Sequence, residues 1–256
     1  MVEAPRIHPF MATTTPVTAR STGQAPRESI LSLATGFYFE HEKKRYLITN
    51  RHVVVKEDEE KYPDHLVAQV HLSATSPDPV RSITIPLYDS DKKPVWLEHP
   101  ENRRINKTED RFDLVALKVD DQIRESDYVE CWKMDRIKPA NVRLDVGDQV
   151  LIVGYPLFFF DRKHNLPIVR TGTIATPYKA VFQNKPVFLV DANLQGGTSG
   201  SPVVVPQSNI RERGEAGFAL GEYPPYLVGI NSAKYEALGL NVVWYASLLR
   251  DIVTTK

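Results

Sequence analysis

Proline content and the spacing of short apolar runs limit what this chain can fold into. Nineteen prolines are scattered along 256 residues, and a proline inside a helix removes a backbone hydrogen bond and clashes with the preceding turn. Between them lie short runs of β-branched, aromatic and aliphatic residues, mostly alternating with polar ones and bounded by loops rich in Pro, Asp and Asn. Such runs predict β-strands. The chain is therefore predicted to be all-β rather than helical.

The predicted strands form two groups of similar length. We place them at 35–40, 45–49, 65–72, 81–88, 93–98 and 113–119, and at 149–156, 167–176, 186–192, 201–205, 226–233 and 240–246. Only the C-terminal stretch has apolar residues at helical spacing, namely Leu248, Leu249, Ile252 and Val253. This arrangement predicts two antiparallel barrels and a short C-terminal helix, although a large sandwich would give the same periodicity.

The predicted domain boundaries follow from these groups. One domain covers 27–125 and the other covers 138–256, and the stretch between them has few strand signals. Residues 1–26 are rich in Thr, Pro, Ala and Arg. A segment of this composition buries little apolar surface. We therefore expect residues 1–26 to form a disordered or loosely docked extension.

Composition argues against several classes of partner. Lys+Arg and Asp+Glu both number 32, so the formal net charge is zero, which argues against a nucleic acid recognised by bulk charge. No apolar run approaches the roughly 20 residues of a membrane span, and the N-terminus lacks the apolar centre of a signal peptide. The single cysteine, Cys131, allows no intrachain disulfide and fits a reducing compartment. We therefore expect a cytoplasmic protein.

A glycine-rich stretch carries the first functional signal. DANLQGGTSGSPVVV, residues 191–205, places Ser199 among three glycines and a proline. Glycine allows turns in which backbone N–H groups point into one spot, and such a spot stabilises the oxyanion that forms when a hydroxyl attacks an acyl carbon. The amides of Gly197 and Ser199 are the candidates here. The alternative is an ordinary β-turn before a strand.

A serine hydroxyl needs a base, and the base needs a group that orients it. Of seven histidines, His52 in YLITNRHVV stands where an apolar strand ends, a position that can face a cleft. Asp113 in DRFDLVALKV directly precedes a well-patterned strand, and Asp110 is the competing carboxylate. The order His, Asp, Ser puts the first two residues in one predicted barrel and the serine in the other. A cleft between the barrels would bring the three together.

At this point the sequence resembles the chymotrypsin-like serine peptidases, most closely the disulfide-free HtrA-type protease domain, without a PDZ domain. The motifs ATGFYF, YLITNRHVV, DLVALKV, GDQVLIVGYP, TGTI, GGTSGSPVV and LVGINSA occur in the order of that family and cover about 30–250. The resemblance implies two Greek-key β-barrels, with His52 as general base, Asp113 as its orienting carboxylate and Ser199 as nucleophile. It also implies an oxyanion hole made by the amides of Gly197 and Ser199.

The resemblance further implies where a substrate would bind. Asn193 would lie near the floor of the main specificity pocket, and Ser232, Ala233 and Lys234 would form the strand that pairs with the substrate backbone. Asn193 carries no charge, so no strict preference for Arg or Lys is expected, and Lys234 could favour an acidic residue. The long insertion at 206–225 is either a lid over the cleft or a surface loop.

The sequence therefore predicts a serine endopeptidase that acts on peptide or protein substrates through an acyl-enzyme and needs no cofactor. It contains no metal-binding HExxH pair and no phosphate-binding glycine loop. Two alternatives stay open. One is a peptidase fold that binds peptides or proteins without cleaving them, and the other is an esterase that uses the same residues.

Overall fold

Two β-sheets dominate the part of the chain that the computed structural model describes, which is residues 8–22, 29–60, 62–74, 76, 79–161, 163–206, 211–212 and 225–255. The first sheet has eight strands in the spatial order β5-β4-β1-β2-β3-β7-β6, and its eighth strand, β8, pairs in parallel with β2. Its strands are β1 (Thr14–Ser21), β2 (Ser29–His41), β3 (Lys44–Thr49), β4 (His65–His71), β5 (Val80–Pro86), β6 (Leu97–Glu98), β7 (Val115–Lys118) and β8 (Trp132–Lys133).

The second sheet closes on itself as a six-stranded barrel in the order β10-β11-β12-β16-β15-β13. Its strands are β10 (Gln149–Gly154), β11 (Ile168–Ile174), β12 (Val187–Asp191), β13 (Pro202–Val205), β15 (Tyr226–Tyr235) and β16 (Leu240–Tyr245). Two short strands, β9 (Val142–Arg143) and β14 (Arg211–Glu212), pair only with each other. The helices are α1 (Pro9–Ala12), α2 (Arg51–Val54) and α3 (Leu248–Val253). The all-β fold class and the short C-terminal helix are confirmed.

Strands β2 and β3 are apolar on both faces because each face is covered by a different core. In β2, Phe37 and Phe39 pack with residues of the closed barrel, whereas Tyr38 between them points into the core of the first sheet. In β3, Ile48 packs with residues of the closed barrel, and Leu47 packs in the core of the first sheet. Successive side chains of a strand point to opposite faces. The continuous apolar runs in these strands thus hold the two sheets together.

The prediction that residues 1–26 form a loose extension is wrong for the strand β1. Thr14–Ser21 pairs with β2 on one side and with β4 on the other, and Val17 and Ala19 are fully buried in the core of the first sheet. Thr15 bonds its hydroxyl to the Gln69 carbonyl at 3.0 Å. Thr15 thus satisfies its hydroxyl on the neighbouring strand β4, and this polar-looking segment occupies the middle of the sheet.

Tight turns set the ends of several strands in the first sheet. The turn between β2 and β3 is a tight hairpin with positive φ at Glu42 (49°) and Lys43 (62°), as a type I′ turn requires. The predicted strand 93–98 shortens to β6, because Asp89 accepts the amides of Asp91 and Lys93 and folds the preceding residues into a turn. The boundaries 27–125 and 138–256 stay a prediction. The insertion 206–225 lies almost entirely outside the described residues.

Candidate active site

His52 lies on α2, a single helical turn that follows directly from β3. Asn50, at the junction, donates its amide to the backbone carbonyl of Asp113 at 2.8 Å. Asp113 itself stands just ahead of β7, and β7 pairs with β3. The pairing of these two strands therefore brings the predicted imidazole and carboxylate to the same edge of the first sheet.

His52 and the Asp113 carboxylate are joined by two hydrogen bonds, one from the imidazole and one from the backbone. His52 Nδ1 lies 2.7 Å from Asp113 Oδ2, and the backbone N–H of His52 donates to Asp113 Oδ1 at 2.8 Å. Ser232 adds a third bond by donating its hydroxyl to Asp113 Oδ2 at 2.5 Å. The competing carboxylate, Asp110, instead lies 3.8 Å from Lys185. The structure thus brings Asp113, not Asp110, to His52, and leaves Nε2 of the ring facing away from the carboxylate.

Burial and charge have opposite effects on the pKa values of His52 and Asp113. Burial alone would lower the pKa of His52, but the charge of Asp113 and the hydrogen bond to it outweigh that effect, so the pKa is raised above 6.5 even though Lys56 lies nearby. Burial would raise the pKa of Asp113, and it is lowered instead by the charge and hydrogen bonds of His52 and by the Ser232 hydroxyl. Asp113 is therefore ionised near neutral pH and stabilises the imidazolium.

Two glycines allow the tight turn that carries Ser199. Gly197 and Gly200 have φ of +90° and +85°, in the left-handed region. A Cβ on Gly197 would lie 2.6 Å from the Tyr155 carbonyl oxygen, and one on Gly200 would lie 2.1 Å from the Thr35 carbonyl oxygen. Both the conformation and the space exclude larger residues. The glycine-rich sequence is therefore needed for a loop packed against other backbone, which an isolated surface turn would not require.

Thr35 of β2, fully buried, ties this loop to the first sheet. Its N–H donates to the Ser199 carbonyl at 2.8 Å, and its hydroxyl donates to the Gly197 carbonyl at 2.8 Å. The same hydroxyl accepts the Tyr155 N–H at 3.0 Å. One residue from the sheet that holds His52 therefore fixes the loop that holds Ser199.

With their carbonyls anchored in this way, Gly197 and Ser199 keep their own N–H groups unused. Neither N–H donates a hydrogen bond to any residue that the structure describes. The Ser199 hydroxyl donates to the Ser232 carbonyl at 3.1 Å, and it makes no hydrogen bond to His52, which is also described. His52 and Ser199 nevertheless line one cavity of about 150 Å³. The loop thus presents a hydroxyl and two free amides beside the imidazole.

The residues predicted to bind substrate lie in two different places. Ser232, Ala233 and Lys234 are on β15 where its pairing with β16 is interrupted between Asn231 and Lys234, and they line a second cavity of about 360 Å³ together with His52. Asn193 is exposed and lines neither of these two cavities. Its carbonyl accepts from Arg170 at 2.7 Å, and its side chain accepts from Gln195 at 3.0 Å.

The described residues show no cluster suited to a metal ion. No group of three or more His, Cys, Asp or Glu among them is arranged to hold one. Nor does any described helix have the length and apolar character needed to cross a membrane.

Comparison with known proteins identifies the family. The model of the trypsin-like peptidase domain matches residues 34–210, which is more than half of the chain. This chain belongs to the trypsin-like peptidase family. The match covers the segments that carry His52, Asp113 and Ser199. It does not separate the HtrA branch from others, so that closer relationship stays a prediction.

A solved structure similar to this peptidase domain is the crystal structure of Rv3671c from M. tuberculosis H37Rv, a serine-to-alanine mutant in an inactive form. The TM-score is 0.51, and the alignment covers 98% of this chain and 90% of that one. The sequences are only 12% identical, so the likeness shows the fold alone. No curated protein matches the sequence.

Sequence reasoning missed residues that support the site of this peptidase from outside it. Thr35 was assigned only to a strand, and Ser232 was assigned to substrate backbone, although its hydroxyl binds Asp113. Arg51 received no role, yet its guanidinium contacts two carboxylates beside His52. A polar side chain inside an otherwise apolar run, as in ATGFYF, is the one local signal that marked such a residue.

Proposed function

We propose that this chain is a serine endopeptidase in which Ser199 is the nucleophile, His52 the general base and Asp113 the carboxylate that orients it. The observation that carries the proposal is the double hydrogen bond between His52 and Asp113 beside a cavity that Ser199 also lines. The family assignment supports hydrolysis of peptide bonds. The roles of these three residues rest on their geometry.

The chemistry begins with a rotation of the serine. The Ser199 hydroxyl gives up its hydrogen bond to the Ser232 carbonyl and donates to His52 Nε2 instead. His52 then accepts the hydroxyl proton as Oγ attacks the scissile carbonyl carbon. The resulting imidazolium is stabilised by Asp113, whose Oδ2 already accepts from Nδ1. His52 next protonates the leaving amine, and water hydrolyses the acyl-enzyme by the same steps.

The free amides supply the charge stabilisation. The N–H groups of Gly197 and Ser199 have no partner among the described residues, and an oxyanion generated next to Ser199 would accept from both. Donors fixed before the reaction stabilise the developing charge without a cost of reorganisation. The bonds from Thr35 to the two carbonyls of this loop are what fix them.

A peptide would bind in extended form along β15. Because Ser232 and Ala233 leave the ladder with β16, their backbone is available to a strand from the substrate. The larger cavity lies on this side of His52, and the smaller one, lined by Leu31, Leu33 and Pro63, lies on the side of Ser199. A substrate chain that crosses Ser199 would thus have a cavity on each side of its scissile bond.

One observation favours a second function, the binding of peptides without cleavage. The Ser199 hydroxyl bonds to the Ser232 carbonyl rather than to His52, an arrangement in which the nucleophile is not activated. If the hydroxyl were held there, the protein would bind an extended peptide and release it intact.

Labelling by a fluorophosphonate probe separates the two functions. We expect the wild-type protein to be labelled and to cleave peptides, and Ser199→Ala and His52→Ala to lose labelling. Ser201→Ala is the matched control, because the Ser201 hydroxyl is buried without a partner in the described structure; it should label like the wild type. Loss of peptide cleavage in Ser199→Ala should be about 10⁴-fold or more. Absence of labelling in the wild type, together with peptide binding that Ser199→Ala leaves unchanged, would favour the non-cleaving function.

A further inference from the structure

A ring of polar side chains connects the backbone next to His52 with the backbone next to Asp113. It starts at Arg51, which immediately precedes His52 and whose side chain is only 8% exposed. The guanidinium donates through Nε to Glu98 Oε2 at 2.9 Å and through Nη2 to Glu57 Oε1 at 2.8 Å. Arg51 thus binds two carboxylates at once, in a geometry that the planar fork of arginine allows and the single ammonium of lysine does not.

The first path runs from Arg51 through Glu98. Glu98 Oε2 also accepts from Asn102 Nδ2 at 2.9 Å, and Asn102 is 3% exposed. Asn102 holds the backbone of Phe112 from both ends: its Oδ1 accepts the Phe112 N–H at 2.8 Å, and its Nδ2 donates to the Phe112 carbonyl at 3.1 Å. Phe112 is the residue before Asp113. This path therefore ends at the peptide bond between Phe112 and Asp113.

The second path runs from Arg51 through Glu57. Glu57 accepts from Arg51 on one side and from the Thr108 hydroxyl at 2.8 Å and Arg111 Nη1 at 3.0 Å on the other. These donors lower the pKa of Glu57 to about 2, with the hydrogen bond from Arg51 as the largest cause. Arg111 stands two residues before Asp113. Both paths thus leave from one residue adjacent to His52 and return within two residues of Asp113.

We propose that Arg51 and Glu57 are positioning residues that hold the turn bearing His52 against the segment bearing Asp113. The role goes beyond the family assignment, and its kinetic part rests on the proposed peptidase function. His52 is on a helix of one turn, and Asp113 follows the long connection 99–112, so neither is placed by a regular element alone. The ring adds a side-chain connection to the pairing of β3 with β7 and to the bond from Asn50, and a misplacement of about 1 Å near reacting groups costs on the order of 10²-fold in rate.

A different role for the same residues is direct contact with substrate. Arg51, Glu57, Thr108 and Arg111 line the cavity of about 360 Å³ that His52 and Asp113 also line. A residue that contacts substrate equally in the ground state and the transition state changes KM, whereas a residue that positions the catalytic pair changes kcat. Measuring kcat and KM separately therefore distinguishes the two roles.

The test compares Arg51→Gln with Glu57→Gln. If Arg51 and Glu57 acted on His52 only through their charges, removal of the Arg51 cation would raise the pKa of His52, and removal of the Glu57 anion would lower it. If the two residues instead position His52 against Asp113, both substitutions loosen the bond between His52 and Asp113 and lower the pKa of His52 toward 6.5. Lys56 and Asp113, the other charged groups that act on the imidazole, are the same in both variants.

The pKa is measured by NMR titration of labelled histidine, with His52 assigned from His52→Ala, so the readout needs no turnover. We expect both variants to lower the pKa of His52 by about half a pH unit or more, and kcat to fall by about 10- to 100-fold with KM within about threefold. Arg51→Lys keeps the charge but replaces two separate donor nitrogens by one, and should behave like Arg51→Gln. Arg81 lies on β5 of the same sheet and forms an ion pair with Asp127, so Arg81→Gln is the matched control and should leave both quantities unchanged.

Three results would overturn the proposal: opposite shifts of the pKa in the two variants, an effect on KM alone, or wild-type values in both. If either variant fails to fold, Thr108→Val provides the test, because it removes one bond to Glu57 without leaving a buried charge; it should shift the pKa in the same direction by less. A wild-type protein without turnover would refute the peptidase function, and the titration would still decide whether the ring positions the pair.

Discussion

Replacing Thr35 by valine tests whether the serine loop is held from the first sheet. Valine keeps the shape of threonine and the backbone bond to the Ser199 carbonyl, but it removes the hydroxyl. The Tyr155 N–H and the Gly197 carbonyl then lose their partner. The variant therefore changes two hydrogen bonds and almost no volume.

The magnitude follows from the burial of those two groups. The bond from the Tyr155 N–H is buried, and leaving such a donor unpaired costs about 1–3 kcal/mol. The bond to the Gly197 carbonyl is only partly buried, so water replaces part of it. We expect the free energy of unfolding to fall by about 2–3 kcal/mol. Removing an oxyanion donor outright costs about 10²–10³-fold in kcat. In Thr35→Val the Gly197 amide remains, but the Thr35 hydroxyl no longer holds it in place. We therefore expect kcat to fall by about 10- to 100-fold.

The assay combines denaturant unfolding with peptide hydrolysis and fluorophosphonate labelling. Thr35→Ser keeps the hydroxyl and should retain most of the stability and rate. Thr176→Val is the matched control, since the Thr176 hydroxyl accepts the Leu189 N–H at 2.9 Å in the other barrel; it should lose stability but not kcat. A Thr35→Val protein with wild-type kcat would refute the argument, as would a Thr35→Ser protein as slow as the valine variant.

Two further predictions concern pH and substrate charge. His52 must be neutral to accept the serine proton, and its pKa is raised by Asp113, so kcat/KM should fall as the pH drops through a value above 6.5. Asp113→Asn should move this acidic limb of the pH profile to lower pH and reduce kcat by about 10⁴-fold. An acidic limb at the same pH in the variant would contradict the assignment. The cavity beside β15 is lined by five Lys or Arg side chains and three carboxylates, so peptides with Glu N-terminal to the scissile bond should be cleaved faster than matched Gln peptides. Lys234→Gln should reduce that ratio, and an equal ratio in the wild type would contradict the preference.

Local pattern was sufficient to predict most of the fold because alternation and turn residues act over a few positions. It failed at β1, since a run of threonines has the composition of a loose segment, and only the neighbouring strands β2 and β4 provide partners for it. It also overextended β6, where the Asp89 turn competes with strand pairing. In each case the deciding contact is with residues outside the window that a pattern covers.

The candidate site also combines residues that a local pattern marks with residues that it does not mark. His52, Asp113 and Ser199 stand at recognisable places, a strand end, a strand start and a glycine loop, and the structure brings His52 and Asp113 into contact. Glu98, in contrast, bonds to a residue 47 positions away, and no local pattern marks such a partner. Asn193 was placed near a specificity pocket by resemblance alone, and it lines neither of the two cavities beside His52.

The absence of any disulfide makes these polar connections necessary. With Cys131 as the single cysteine, the position of Ser199 relative to His52 must be set by packing or by hydrogen bonds. Apolar packing between the sheets tolerates side-chain rearrangement, whereas a bond from the Thr35 hydroxyl to the Gly197 carbonyl specifies one arrangement. Since Thr35 lies on β2, which pairs with the β3 strand that leads into His52, the loop of the second barrel is positioned from the same sheet as the base. The position of Ser199 relative to His52 is then set by hydrogen bonds from both sheets. One runs from the Thr35 hydroxyl to the Gly197 carbonyl, and the others pass through Ser232, which accepts from Ser199 and donates to Asp113.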